Sequence, residues 1–189
     1  MNLYGDTPSK NHPPNNDAGG DVDAELLEQA RAGDEAAFAK LFRRHYPSVR
    51  GMAARILLDL SAAEDVAQET FVRAARLLAQ ITDGSGLRSW LYRAAINLCR
   101  DRLRSQKRRL LREEEFMRLC GTTQEKPDER ALRIIEILRT LPATQREAVV
   151  LVYYENLDHA TAARAAGCAV STLSWRLMLA RRRLRQLLQ

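Results

Sequence analysis

The stretch from Leu87 to Arg112, LRSWLYRAAINLCRDRLRSQKRRLLR, constrains the fold of this chain more than any other. Nine basic residues against one acidic give it a surplus of eight charges in a protein whose net charge is +6. Its apolar residues Leu87, Leu91, Ala94, Ala95, Leu98 and Leu103 recur at helical spacing, which predicts an amphipathic helix with the charge along one face. Trp90 and Tyr92 near its start add aromatic surface, and such a helix can grip a phosphate backbone while stacking on exposed bases. A solvated face above a core stripe would give the same pattern, so the flanking sequence has to decide.

That flanking sequence is helical in period. Residues 1–22 are rich in Pro, Gly and Asn with little to bury, and read as a disordered tail. From Asp23, the residues Leu26, Leu27 and Ala30 form a short stripe that stops at Gly33, and Asp34 reads as the N-cap of a helix carrying Ala37, Phe38, Leu41 and Phe42. Pro47 either opens a continuation through Val49, Met52 and Ile56 or kinks one longer helix. Ser61 and Glu64 stand at capping-box spacing and open a helix with Val66, Ala67, Phe71, Ala74, Ala75 and Leu78 on its apolar face. Asp65, Gln68, Glu69 and Arg73 occupy much of the rest, and acids in the first turns also suit the helix dipole. Thr82 to Gly86 form a loop whose glycines end that helix, and the basic helix follows.

Beyond Ser105 the periodicity weakens, and residues 107–129 read as a linker. A linker of that length argues for two domains, residues 23–106 and 130–189. In the second, Leu132, Ile135 and Leu138 mark one helix, Pro142 sits in the first turn of another, Asp158 caps a short Ala-rich one and Ser171 caps the last. Gly167, Cys168 and Ala169 separate the final two, the signature of a helix-turn-helix, whose second helix enters the major groove. That last helix carries Arg176, Arg181, Arg182, Arg183 and Arg185 with no acidic residue. The expected fold is all-α: two small helical domains joined by a flexible linker, the C-terminal one with a helix-turn-helix.

A pI near 9.6 favours an acidic partner. No apolar run approaches the roughly 18 residues of a membrane span and no signal-peptide core is present, so a cytoplasmic protein is expected, not itself a membrane protein. Cys99, Cys120 and Cys168 lack CxxC spacing and the three histidines are scattered, so neither a metal nor a cofactor is expected. With no Gly-rich phosphate loop, no HExxH and no nucleophile beside a recognisable base, neither an enzyme nor a small-molecule substrate is expected.

An acidic-polar helix followed at once by a basic aromatic one, then a linker and a basic helix-turn-helix, resembles the extracytoplasmic-function (ECF) group of bacterial sigma factors, in the sigma-70 family. The strings that carry the resemblance are AEDVAQETFVRAAR (Ala63 to Arg76), SWLYRAAINLCRDRLR (Ser89 to Arg104) and LPATQREAVVLVYYENL (Leu141 to Leu157). It implies that Asp65, Gln68, Glu69 and Arg73 bind core RNA polymerase, since carboxylates and an amide on a rigid helix can pair with arginines of a partner helix. It implies that the loop Ile81 to Gly86 and the helix behind it read the promoter's −10 element as single-stranded DNA. Arg88, Arg93, Arg100 and Arg104 would hold phosphates. Trp90 either shapes a base pocket or packs the core; Asn97 either bonds a base or holds the loop.

The resemblance also implies that the final helix reads the −35 element, through Ser171, Thr172, Ser174, Trp175, Arg176 and Arg181. Family members usually place basic or polar groups at the positions held by Ser174, Trp175, Met178 and Leu179, and this helix has replaced most of them. Trp175 and Met178 either meet thymine methyls or face a protein. The segment Asp158 to Thr161 is atypical, and the loop Thr82 to Gly86 lacks its usual aromatic. The implied function is promoter recognition, DNA melting and transcription initiation under the control of an anti-sigma factor, membrane-anchored in some members. Two alternatives stay open: a helix-turn-helix regulator that does not bind core polymerase, and an interaction protein whose basic helices dock an acidic partner.

Overall fold

A computed structural model describes residues 18–81, 84–113 and 135–187, and the described residues form helices and turns without a strand. The long tail expected at the N-terminus lies largely outside this range. Helix α1 (Ala18–Arg31) nevertheless begins five residues before the expected start at Asp23. It ends at Gly33, whose φ of +95° is open to glycine at little cost. Asp34 then caps α2 (Glu35–Leu57), accepting from the backbone N–H of Ala36 at 2.8 Å and Ala37 at 3.2 Å. Pro47 lies inside α2, which is one helix rather than two. Arg43, whose carbonyl loses its donor to the proline, is exposed, so water can replace the missing bond.

Leu58 leaves α2 in the left-handed conformation and sets Asp59 in an extended one, so Asp59 rather than Ser61 caps α3 (Leu60–Arg76), accepting from Ala62 N–H at 2.9 Å. Glu64, which would have completed the expected capping box, is drawn instead to α2, where it accepts from the Tyr46 hydroxyl and pairs with Arg50 at 2.6 Å. A 3-10 turn (Leu78–Gln80) leads to α4 (Gly84–Glu113). This helix is longer than expected at both ends. Ile81 and Leu87, both buried, anchor the glycine-containing start and offset the propensity cost of about 1 kcal/mol per helical glycine. At the other end Gln106, the basic residues and the leucines up to Glu113 are strong helix formers, so residues 107–113 are helix rather than linker. The rest of the expected linker lies outside the described residues.

The second module opens with helical residues 135–139. After Pro142, α5 (Ala143–Val149) passes directly into a π turn (Val150–Tyr154), in which Glu155 N–H reaches back five residues to Val150 C=O at 3.0 Å. Asp158 caps α6 (His159–Ala166) through Ala160 and Thr161 N–H, both at 2.9 Å, and Gly167 closes it at φ +60°. Helix α7 (Val170–Leu187) starts one residue before Ser171; its first turn hangs on the Ala169 carbonyl, leaving Ser171 exposed rather than capping.

The first module closes over Leu27, Leu41, Met52, Ile56, Val66, Phe71, Leu91 and Ile96, with Phe42, Tyr46 and Phe71 clustered at ring separations of 4.6 to 5.7 Å. The second closes over Leu138, Leu141, Leu151, Leu173 and Leu177. One apolar cluster runs through both. Helix α4 packs on α1, α2 and α3 along one side and on α6 along another, so the two modules meet across it.

Candidate polymerase and nucleic-acid interface

Helix α3 buries Ala63, Val66, Ala67, Thr70, Phe71 and Ala74, and the same periodicity turns Asp65, Gln68, Glu69 and Arg73 outward, all four exposed. Their ties are local or solvent-facing. Arg102 of α4 donates to Asp65 at 3.1 Å, Arg73 to Glu69 at 2.8 Å, and Gln68 to Glu64 at 3.5 Å. Hydrogen bonding from Tyr46 holds the Glu64 carboxyl below its ordinary range. Val72, 44% exposed, lies on the same outward stripe, in phase with Asp65, Gln68 and Glu69. Sequence reasoning missed it, although its signal is present: an aliphatic side chain out of phase with the buried face.

At about 100° per residue, Trp90, Arg93, Asn97, Arg100 and Arg104 share one stripe of α4, within an arc of roughly 80°. Arg93, Asn97 and Arg104 are exposed; Trp90 is half-buried, its body against the core. Trp90 therefore packs on the core, and its uncovered part stays available on the stripe. Cys99 is on the inner side, where burial pushes its thiol up to about 12 and leaves it unreactive near neutral pH.

The structure sets two of the expected phosphate contacts apart. Arg100, although on the outward stripe, is drawn into the junction with the second module, donating to both oxygens of Glu147 at 3.0 and 2.7 Å and to Ala166 C=O at 2.8 Å. Arg88 lies off the stripe altogether. It donates to Glu155 C=O at 2.7 Å and to the Tyr92 hydroxyl at 3.3 Å, and the Tyr92 hydroxyl in turn donates to the Glu155 carboxylate. Burial raises the Glu155 carboxyl above its ordinary value, against the hydrogen bond from Tyr92 and the charges of Arg88 and Arg55. Sequence reasoning also missed Glu147 and Glu155. Glu147 stands one helical turn before buried Leu151, in phase with the core, and an acid in that register is the signal that could have exposed it.

In the second module, α6, Gly167–Ala169 and α7 form the expected helix-turn-helix. Ser171 is exposed, Thr172 and Ser174 are half-buried, and Arg176 lies over the turn with Nη1 3.8 Å from Cys168 Sγ. Trp175 and Met178 are 57% and 56% exposed, a large apolar surface on an otherwise basic helix. Beside them runs a groove of about 550 Å³ lined by His159, Ser174, Leu177, Met178, Arg181 and Arg182. Arg181 is steadied at its edge by the Tyr153 hydroxyl at 2.8 Å. The three expected surfaces therefore come from different helices on one framework, and two of their arginines are engaged between the modules.

The family model for sigma-70 region 2 matches residues 41–109, and that for sigma-70 region 4 matches residues 131–184. The ECF RNA polymerase sigma factor SigM of Mycobacterium tuberculosis is 35% identical, over 88% of this chain and 84% of its own length. The RNA polymerase sigma-H factor of Pseudomonas aeruginosa is 30% identical, over 88% of this chain and 94% of its own. Among solved structures, CnrH in complex with the cytosolic domain of CnrY superposes with a TM-score of 0.68 at 27% identity, covering 88% of this chain and 97% of that one. The sigma factor RpoE of Bartonella quintana, in complex with the anti-sigma factor NepR, gives 0.66 at 26% identity, covering 80% and 96%. The chain belongs to the ECF group of the sigma-70 family, the factors that bind core RNA polymerase and direct promoter recognition, DNA melting and transcription initiation.

Proposed function

We propose that the three surfaces divide this work between them: the outward face of α3 binds core RNA polymerase, the outward stripe of α4 holds the non-template strand of the −10 element, and α7 enters the major groove at the −35 element. The observation that carries the reading is that the first two stand exposed on helices packed into one core. Exposed Asp65, Gln68 and Glu69 lie on α3, which packs on α4 and is tied by the Asp65–Arg102 pair to a face of α4 turned away from the basic, aromatic stripe, so one core fixes both surfaces. A polymerase docked on α3 would therefore present melted DNA to Trp90, Arg93 and Asn97. Stacking and base contacts to exposed bases offer on the order of 1 to 3 kcal/mol per base, which can drive opening without nucleotide hydrolysis. The protein contributes no catalytic step of its own and works in the cytoplasm, where core polymerase is found.

An anti-sigma factor would hold it inactive, in keeping with the CnrY and NepR complexes of its structural neighbours. The groove beside Trp175 and Met178, rimmed by Arg181 and Arg182, suits an amphipathic helix with an acidic flank. The test of the whole reading is in vitro transcription with core enzyme and a genomic promoter library. Promoter-dependent initiation that requires this chain is expected; specific binding to duplex DNA with neither core binding nor initiation would instead establish the helix-turn-helix regulator.

A further inference from the structure

We propose that the junction between the two modules is an autoinhibitory latch in which Glu147 occupies Arg100 in place of a DNA phosphate while Glu155 clamps the modules shut. The proposal rests on reading the α4 stripe as the −10 surface.

The chemistry of the junction is unlike ordinary domain packing. Among the described residues, every hydrogen-bond and ion-pair partner of the Glu147 and Glu155 carboxylates belongs to the first module: Arg100 for Glu147, and Arg55, Arg88 and Tyr92 for Glu155. Both carboxylates are nearly sealed from water, with side chains 1% and 8% exposed. Two further bonds tie helix ends across the junction, from Arg100 to Ala166 C=O at the end of α6 and from Arg146 to Ile56 C=O near the end of α2.

Buried ion pairs add little net stability, because desolvation offsets their attraction, whereas apolar side chains of similar volume would hold two domains at least as firmly. A pair whose halves both regain strong partners on separation is suited to reversible contact. Arg100 is the half that matters for function. Among the described residues it alone of the α4 stripe is engaged by the second module through a bidentate carboxylate, the arrangement that a phosphate would otherwise take. Asp65, Gln68 and Glu69 meanwhile remain exposed. The closed chain can therefore meet core polymerase before it can hold DNA fully, and opening completes the −10 surface.

The experiment uses the full chain, wild type and Glu147→Gln/Glu155→Gln, with a labelled single-stranded DNA oligonucleotide of mixed sequence as probe. Small-angle scattering should show a larger radius of gyration for the double variant. Fluorescence anisotropy should show binding tighter by about tenfold, the effect of one charge-assisted hydrogen bond. The plot of log affinity against log salt should steepen by about 0.7, the increment for one further phosphate neutralised on a single strand. Adding Arg100→Ala should cancel the tighter binding; adding Arg88→Ala should not. If the double variant does not melt cooperatively, Arg55→Met/Arg88→Met cuts the same clamp from the other side and should expand the chain and tighten binding alike. An unchanged radius, or an expanded chain with wild-type affinity and slope, overturns the latch. Pull-down of wild type with core polymerase is scored separately, so failure to bind core counts against the proposed function and not against the latch.

Discussion

Reversing the charge of Asp65 and Glu69 should separate core binding from folding, and the structure gives the scale of each effect. Asp65 pairs with Arg102 at 3.1 Å and Glu69 with Arg73 at 2.8 Å, all four side chains 44% to 55% exposed. Pairs this open to solvent contribute about 0.2 to 1 kcal/mol each. Replacing both acids with arginine loses those pairs and adds repulsion of similar size, so a cost of about 1 to 4 kcal/mol is expected. For a chain of this length that corresponds to a fall in Tm of roughly 2 to 16 °C. At an interface the same groups weigh far more: removing one partner of a buried charge pair costs about 2 to 5 kcal/mol, a loss of affinity of about 30-fold or more. Anisotropy titration of labelled Asp65→Arg/Glu69→Arg against core polymerase, beside a thermal melt, measures both. The reasoning is refuted by a variant that melts as expected yet binds core within about twofold of wild type. Glu64→Gln serves as the internal control, since Glu64 faces Tyr46 and Arg50 of α2 and should affect stability without affecting core binding.

Two further outcomes follow from the geometry. His45 of α2 is buried against Asp23 of α1, its ring nitrogen 2.8 Å from the carboxylate, with Arg44 and Arg88 also bearing on it. Burial lowers its pKa below 6.5 in spite of Asp23, so its contribution to stability is present above 6.5 and lost as pH falls through the folded value. Thermal melts should show wild type losing stability between pH 7 and 5.5 more steeply than His45→Gln, and parallel curves would rule this out. Trp175→Ala should leave the melting temperature within about 2 °C of wild type, because the side chain is 57% exposed. It should weaken capture of the cognate anti-sigma factor at least tenfold, as loss of a central aromatic contact does; equal capture by wild type and variant removes Trp175 from that interface.

Local chemistry made much of this legible in advance. Asp34, Asp158 and Gly167 do what their residue types suggest, because a short carboxylate meeting free N–H groups, or a glycine taking positive φ, needs only neighbours in sequence. The outward residues of α3 were legible for a similar reason: period alone turns them away from Val66 and Phe71. What escaped depends on distant partners. Glu64 is pulled out of its capping box by Tyr46 and Arg50, and Asp59 inherits the cap through the left-handed exit at Leu58. Arg88 and Arg100 have the composition of phosphate contacts, yet their partners stand 67 and 47 residues further along. Helical propensity is likewise blind to where a domain should stop, which is why α4 overruns the composition shift at Ser105.

The π turn at Val150–Tyr154 carries a consequence for how tolerant this junction is to change in chain length. A π turn holds one more residue than the α-helical turn it replaces, and that extra residue sets the heading of everything after it. Ahead of it, α5 points Glu147 at Arg100; behind it, Glu155 arrives at Arg88, Tyr92 and Arg55. Loss of a single residue there would tighten the coil to its ordinary winding and swing Glu155 by about 100°, with no change in net charge. In this chain the joint between the two modules is set by counting: a one-residue gap in this turn alters more than many substitutions along the helices beside it.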